Sequence, residues 1–398
     1  MFKKWILVFC LCLACFAGIM GFINYKIDPL GYWASNRGKW DHCSTSYNAM
    51  SSRQVKSNYI LRKGSQYEAV VFGGSNAGTI DPELIEQITG YKTYNYWNSN
   101  GDSQDYLELT KFCIKQMPKL KQVIVQISNE EFHAAEKIPV LKLPYYITGE
   151  SPIKEELSYI FINPYENVRL WIKKHHSRPN TVAEQTWIPK ENMHLLGAEE
   201  CLTNGKVALF YHQVPDDLMF DYVVNKTLMG GGLEDLSTKA KVLFEETERD
   251  FKTFNVSIEN LKKIKELCDA NNVELKVFVG ACFINKKARF EGYQYYEWLK
   301  QLADITPFWD FSGFFDANLN PFNFYNATHY NYETADEIIK IIYGKKQNQD
   351  FGFYVTRQNV FDYIESRRLS FARLKQEYEQ TGTVHLFGKD DKSFLGKE

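Results

Sequence analysis

The sequence predicts an α/β protein whose core is a doubly wound parallel sheet with an inserted cap region, preceded by a transmembrane helix. Two observations predict the sheet: short apolar runs that end in glycine or polar residues, and amphipathic helical patterns between these runs. A third observation, an uncharged and mostly apolar run from Trp5 to Ile23, predicts the membrane segment. The chain has 398 residues, 44% of them hydrophobic, which is enough for one large domain or two modest ones with a buried core.

The N-terminal apolar run follows Lys3 and Lys4, and few positive charges come directly after it. This distribution predicts a single-pass protein of the cell membrane, with a cytoplasmic N-terminus and an extracytoplasmic main domain. A cleaved signal peptide is the alternative interpretation. We favour an uncleaved anchor because no clear cleavage site with small residues follows the run, and the run is long for a signal peptide.

Strands and helices are predicted to alternate along the chain. The first strand begins at Glu68 and ends in glycines, and the helix after it has Asp81 as N-cap, Pro82 in its first turn and Gly90 as its stop. Further strands are expected at 91–96, 122–127, 273–279 and 306–311, and further helices at 103–117, 258–271 and 334–343.

Four segments are expected: a membrane anchor at 1–23, a polar juxtamembrane segment at 24–65, the α/β domain at 66–346 and a polar C-terminal helical extension at 347–398. Within the α/β domain, residues 134–256 break the alternation of strands and helices. This stretch is too long for a single loop, so we interpret it as an inserted cap.

The composition excludes some classes of function. The 47 basic and 49 acidic residues interleave and give a net charge of −2, so the sequence shows no basic patch of the kind that binds nucleic acid. The cysteines outside the anchor are scattered, and His175 and His176 follow two lysines without a nearby second ligand group. We therefore expect no metal site and no cofactor.

Two segments carry residues suited to nucleophilic catalysis. Ser75 comes directly after the first predicted strand, and the glycines beside it let the backbone approach a substrate closely. His329 lies after the last strand and before the final helix of the α/β domain. Since the carboxyl ends of parallel strands share one edge, these side chains are expected to meet there, with His329 as the base that activates the Ser75 hydroxyl. Taken alone, each segment has a simpler interpretation, as a turn serine and a helix-start histidine.

Together these segments resemble the SGNH/GDSL hydrolase superfamily over roughly residues 66–135 and 258–345. More narrowly, the anchored layout is similar to a membrane-anchored extracytoplasmic branch that includes alginate O-acetylation and teichoic acid D-alanylation proteins. The resemblance implies a flavodoxin-like sheet with Ser75 as nucleophile and His329 as base. It also implies that Gly101 and Asn129, with the N–H of Ser75, hold the developing oxyanion.

Asn326 stands where the resembled family has the aspartate that orients the histidine. An asparagine cannot supply that negative charge, and in serine proteases the same change lowers turnover by about 10⁴. Three interpretations remain open: a Ser-His dyad, a substitute carboxylate such as Asp310, or a protein without catalysis. Asn326 also begins a glycosylation sequon, and a glycan there would block the site, which favours a bacterial origin.

The resemblance implies serine-dependent acyl ester transfer or hydrolysis on a cell-envelope polysaccharide or glycopolymer, with a polytopic membrane acyltransferase as partner. The alternative is a non-catalytic protein of the same fold that binds glycan or scaffolds a complex for polymer modification. An aromatic content of 15% suits a surface on which sugars stack, but it equally suits an ordinary core.

Overall fold

The structure, a computed structural model, describes residues 2–28, 32–37, 45–98, 100–127, 142–161, 251–284, 291–326, 329–344, 350–381 and 384–387. The strands are β1 (Ala69–Phe72), β2 (Thr93–Asn95), β3 (Gln122–Ile127), β4 (Glu274–Val279), β5 (Phe308–Asp310), β6 (Phe324–Asn326), β7 (His329–Tyr330) and β8 (Phe353–Val355). The helices are α1 (Phe2–Ile27), α2 (Tyr32–Asn36), α3 (Thr45–Lys63), α4 (Pro82–Thr89), α5 (Ser103–Gln116), α6 (Tyr145–Thr148), α7 (Pro152–Ile160), α8 (Phe251–Ala270), α9 (Tyr293–Ile305), α10 (Tyr332–Ile342) and α11 (Val360–Thr381).

The main sheet has the strand order β2-β1-β3-β4-β5-β8. The first five strands are parallel, and β8 pairs with β5 in the antiparallel direction. The prediction of an α/β protein with a mostly parallel sheet is therefore confirmed. The chain order reverses between β1 and β3, which is where open α/β sheets form their ligand crevices.

Helices cover both faces of this sheet because alternate side chains of each strand point to opposite sides. Val70 and Phe72 of β1 pack into one core with α5 and α8, whereas Val71 packs into a second core with α4 and α10. All four residues of β1 are buried, as expected for a central parallel strand. Burial on both faces fixes the register of β1 and thereby the position of the loop that follows it.

The ends of α4 are those that the sequence predicted. The Asp81 carboxylate accepts a hydrogen bond from the backbone N–H of Glu83 at 3.0 Å, and Pro82 occupies the first turn. Gly90 ends the helix with φ of 75°, a left-handed conformation that glycine adopts without a steric cost. Local chemistry is therefore sufficient to define this helix.

Other elements were not predicted. The segment expected to be a polar juxtamembrane stretch contains α3, and α9 lies between β4 and β5. The segment beyond residue 347 contains the expected helix, α11, but it also adds β8 to the edge of the sheet. Of the expected cap at 134–256, only 142–161 and 251–256 lie within the described residues, so the cap stays a prediction.

Helix α1 has 26 residues and, over its most apolar window, is long and apolar enough to cross a membrane. None of that window is buried against the rest of the protein. Large apolar side chains such as Phe9 and Phe16 are exposed along it. This exposure distinguishes α1 from the buried core helix of a soluble domain.

Candidate active site

Ser75 lies in a tight turn at the carboxyl end of β1. After Gly73 and Gly74, residues Ser75–Thr79 form a 3-10 turn. A Cβ atom at Gly73 would lie 2.5 Å from the Cβ of Ala77 and 2.7 Å from Oε1 of Gln126, so a larger residue does not fit without movement. Glycine at position 73 therefore allows the turn that carries Ser75 to fold back closely against the strand.

The side chain of Asn95, at the end of β2, holds this turn in place. Its Nδ2 donates to the carbonyl of Ala77 at 2.7 Å and to that of Ile80 at 2.9 Å. Its Oδ1 accepts from the N–H of Trp97 at 3.1 Å. Asn95 is fully buried, so these bonds are shielded from water and position the turn rigidly against β2.

The loop between β2 and α5 packs directly on the end of β1 and contains Gly101. The Asn98 N–H donates to the Gly73 carbonyl at 2.9 Å, and the Gly101 N–H donates to the Asn98 carbonyl at 3.1 Å. A Cβ at Gly101 would lie 3.0 Å from the Gly73 oxygen. The structure thus places Gly101 beside the backbone that leads to Ser75, and its contribution to an oxyanion hole stays a prediction.

Helix α3 supports this loop with two buried basic residues. Lys56 donates to the carbonyls of Asn95 at 3.0 Å and Trp97 at 3.1 Å. Arg53 forms a salt bridge with Asp105 at 2.7 Å and is itself fully buried. Burying a charge is costly unless it is paired or hydrogen-bonded, so these contacts explain how a polar helix packs into the domain.

His329 is held by a short hairpin and by asparagine side chains. It lies in β7, where it pairs with Asn326 of β6 through the backbone register. After it, the Asn331 side chain caps α10 by accepting from the Thr334 N–H at 2.9 Å and donates to the Phe322 carbonyl at 2.9 Å. These bonds fix the start of α10 and hence the strand that carries the histidine.

The structure brings together the two residues on which the predicted chemistry depends. The Ser75 Oγ lies 2.7 Å from the His329 Nε2, although the residues are 254 positions apart in the sequence. This distance lies within the range that proton transfer between a nucleophile and a general base requires. Both side chains are partly exposed, so the pair lies at the rim of the sheet rather than in the core.

Asp310 does not orient the histidine. Its Oδ1 accepts from the N–H and the hydroxyl of Ser312, and its Oδ2 pairs with Arg367 at 3.1 Å. Arg367 also forms a two-pronged pair with Glu291, at 2.6 and 3.0 Å. Asp310 therefore belongs to a buried ion network that links β5 to α11, and the hypothesis that it substitutes for the missing aspartate is wrong.

Three buried carboxamides at the same end of the sheet were not singled out from the sequence. Asn76 follows β1, Asn98 follows β2, and Gln126 is the last residue but one of β3. Both amide atoms of Asn98 and Gln126, and the Oδ1 of Asn76, have no hydrogen-bond partner among the described residues. Buried polar groups normally have partners, so these atoms suit a bound ligand or water.

The sequence contained a signal for one of these residues. Gln126 interrupts a run of Val and Ile in a strand whose residues are all buried. Its carboxamide lies between two glycine positions, with Nε2 only 2.6 Å from where a Cβ of Gly280 would be. A polar residue inside a buried strand indicates a specific polar role or a packing constraint.

The other predicted site residues are placed only in part. Asn129 lies outside the described residues, and the role of Asn326 as the orienting residue stays a prediction. Within the described ranges there is no group of three His, Cys, Asp or Glu side chains that could hold a metal ion. The sequence matches no protein-family model and no curated protein. The hypothesis of function therefore depends on residue geometry and on the resemblance in the motifs.

Proposed function

We propose that the protein is a membrane-anchored, extracytoplasmic SGNH-type enzyme that transfers or hydrolyses acyl esters on a cell-envelope polysaccharide. The observation that carries this proposal is the 2.7 Å contact between the Ser75 hydroxyl and the His329 imidazole. The serine follows the first strand and the histidine precedes a late helix, at one end of a parallel sheet. A catalytic pair is expected at that end of such a sheet.

In the proposed reaction, the Ser75 Oγ attacks the acyl carbonyl carbon as its proton passes to the His329 Nε2. The carbonyl π bond opens, and its electrons form the oxyanion. When the oxyanion collapses, the ester bond breaks and the leaving alcohol takes the proton from the imidazolium. A sugar hydroxyl or water then gives its proton to His329 and attacks the acyl-serine carbonyl. The acyl–Oγ bond breaks and Ser75 takes the proton back, which completes transfer or hydrolysis respectively.

The oxyanion needs hydrogen-bond donors, and one such donor is worth about 3 kcal/mol of barrier. The family resemblance implies that the backbone N–H of Ser75 acts as a donor together with Gly101 and Asn129. In this structure the Gly101 N–H already donates to the Asn98 carbonyl at 3.1 Å, so it can serve the oxyanion only after that bond breaks. We add the Asn76 side-chain Nδ2 as a further candidate donor, because Asn76 is next to the nucleophile and is only 7% exposed.

The membrane part of the proposal is supported by the exposed apolar surface of α1. An enzyme held at the outer face of the membrane is well placed to receive acyl groups from a polytopic membrane acyltransferase. This favours transfer to a glycan over hydrolysis. Purified protein incubated with an acyl ester donor, with and without glycan, tests this preference, and acylated glycan is the expected product.

A second candidate is a non-catalytic protein of the same fold that binds glycan or scaffolds a modification complex. Two observations favour it. Asn326 stands where a catalytic aspartate is expected, and Asp310 is engaged by Arg367. A measurement of the reactivity of Ser75 separates the two candidates.

That experiment is fluorophosphonate labelling of the full-length protein in detergent. The proposal expects labelling that is abolished in Ser75→Ala and slowed about 10²- to 10⁴-fold in His329→Ala, since a general base contributes this much. Ser65→Ala is the matched control, because Ser65 is an exposed serine outside the site. Wild-type protein that does not label, or labelling that survives Ser75→Ala, refutes the enzyme and favours the scaffold.

A further inference from the structure

Helix α7 is attached to the outer end of the apolar helix α1. The Asn24 side chain, fully buried, donates to the Ile160 carbonyl at 2.7 Å. The Ile160 side chain lies 3.0 Å from where a Cβ of Gly21 would be. Gly21 belongs to the apolar run that ends at Ile23, so the C-terminal end of α7 lies level with the last turn of the proposed membrane span.

The two glutamates of α7 point inward, toward α2. The Glu156 carboxylate accepts from the Trp33 Nε1 at 2.7 Å and from the Tyr32 hydroxyl at 3.0 Å. The Tyr32 hydroxyl also contacts Glu155 at 3.2 Å, and the ring of Tyr32 stacks on Tyr159 at 3.8 Å. Helix α2 thus covers the carboxylates of α7.

The face of α7 that points outward is apolar. Ile153, Leu157 and Phe161 are 70%, 46% and 49% exposed. Their spacing of four residues places them in one stripe along α7 and its C-cap, Phe161. In a soluble protein, an amphipathic helix buries its apolar stripe and exposes its charges. In α7 the apolar stripe is exposed while Glu155 and Glu156 are covered, although Lys154 is also exposed. Water is therefore an unfavourable neighbour for the stripe.

The C-terminal end of this stripe, Phe161, directly follows Ile160, which packs against α1. Ile19 and Phe22, near the end of the span, are 60% and 62% exposed, and α7 packs against the same end of α1 through Gly21. Tyr and Trp concentrate where membranes meet water, and Tyr32 and Trp33 lie beside this junction. The solvent that suits the exposed surface of α1, the lipid bilayer, therefore also suits the stripe of α7.

We propose that α7 rests on the membrane surface, with Ile153, Leu157 and Phe161 in the interface between lipid headgroups and acyl chains. This inference depends on the membrane anchoring in the proposed function and goes beyond it. A second attachment point next to α1 restricts rotation of the domain about the anchor. It would hold the rim that carries Ser75 at a fixed height and orientation relative to the bilayer.

Photocrosslinking of the full-length chain tests this proposal. A benzophenone amino acid replaces Leu157 in protein reconstituted into vesicles of phosphatidylethanolamine and phosphatidylglycerol, and mass spectrometry identifies the adducts after illumination. The probe at Phe9, in the span, reports whether the anchor is inserted. The probe at Phe361 is the matched negative control, since this phenylalanine is 65% exposed on α11, a helix that packs against α9 and β8.

The proposal expects lipid adducts at positions 9 and 157 and none at 361. Lipid adducts at 9 but not at 157, or protein adducts in place of lipid at 157, overturn the inference and leave the anchor intact. Lipid adducts at 361 as strong as those at 157 also overturn it, because exposure alone would explain them. No lipid adduct at 9 refutes the membrane anchor itself, and the inference with it.

Discussion

Replacement of Arg367 by methionine tests how the domain is held together next to the site. Arg367 on α11 is 1% exposed and pairs with two buried carboxylates, Glu291 and Asp310. Burial disfavours its charged form, but the two carboxylates outweigh this effect, so the pKa of Arg367 lies above its usual range. The arginine therefore stays charged, and its removal leaves two negative charges in the interior.

The expected cost follows from that uncompensated charge. Removing one partner of a buried ion pair typically lowers the free energy of unfolding by about 3–5 kcal/mol. Arg368→Met is the matched control, because the neighbouring arginine is 62% exposed and pairs with Glu365 on the same helix. Water screens an exposed pair on one helix, so removing it should change the free energy of unfolding little.

Urea unfolding of the full-length protein in detergent, followed by tryptophan fluorescence, measures both changes. The Arg367→Met protein should unfold at a clearly lower urea concentration than either the wild type or Arg368→Met. Equal midpoints for the two variants would refute the reasoning, since they would show that the buried network contributes no more than a surface pair.

Three further predictions concern the site and the juxtamembrane packing. Asp310→Asn should lower the free energy of unfolding by about 1–2 kcal/mol and leave the fluorophosphonate labelling rate of Ser75 unchanged, because its carboxylate contacts the arginine rather than the histidine. Gly280→Ala should lower the free energy of unfolding by about 1–3 kcal/mol, because the new Cβ would lie 2.6 Å from Nε2 of Gln126. Adding Gln126→Ala should recover part of this loss, since it removes the clashing amide. Burial raises the pKa of Glu155, so its contribution to stability is greatest below its ordinary value of 4.5 and is lost as pH rises through the raised pKa. Glu155→Gln should therefore flatten the dependence of the unfolding midpoint on pH in that range.

Each of these outcomes has a comparison that can contradict it. Slow labelling in a folded Asp310→Asn protein would restore that carboxylate as a catalytic candidate. Gly78→Ala is the control for Gly280→Ala, because its Cβ would lie 3.4 Å from Trp97, an ordinary contact. Additive costs in the double variant with Gln126→Ala would contradict the proposed clash. An unchanged pH profile in Glu155→Gln would show that this carboxyl does not couple to folding.

Elements with strong local signals could be predicted from the sequence. Helix α4 has an N-cap, a first-turn proline and a terminal glycine, and the observed helix starts and ends where these residues predict. Strand β3 was predicted at its observed bounds because a run of Val and Ile without helical periodicity favours a buried strand. In both cases the determinants lie within a few residues of the element.

Helix α3 could not be predicted in this way. Its sequence is polar, and it packs into the domain because Arg53 forms a salt bridge with Asp105. Lys56 also donates to two backbone carbonyls, which lie 39 and 41 residues later in the chain. Strand β8 likewise depends on a free edge of β5, which no local pattern reveals. Tertiary contacts determine such elements, and local propensity is a weak guide to them.

The sequence by itself determined the alternation of strands and helices, the apolar N-terminal helix and the positions of a serine after the first strand and a histidine before a late helix. These features depend on side-chain periodicity and on residues close together in the chain. Only the tertiary structure decided that the Ser75 hydroxyl meets the His329 imidazole and that Asp310 turns away to Arg367. The direction in which a side chain points at a strand end depends on which distant charges and carbonyls surround it, and the fold alone sets those neighbours.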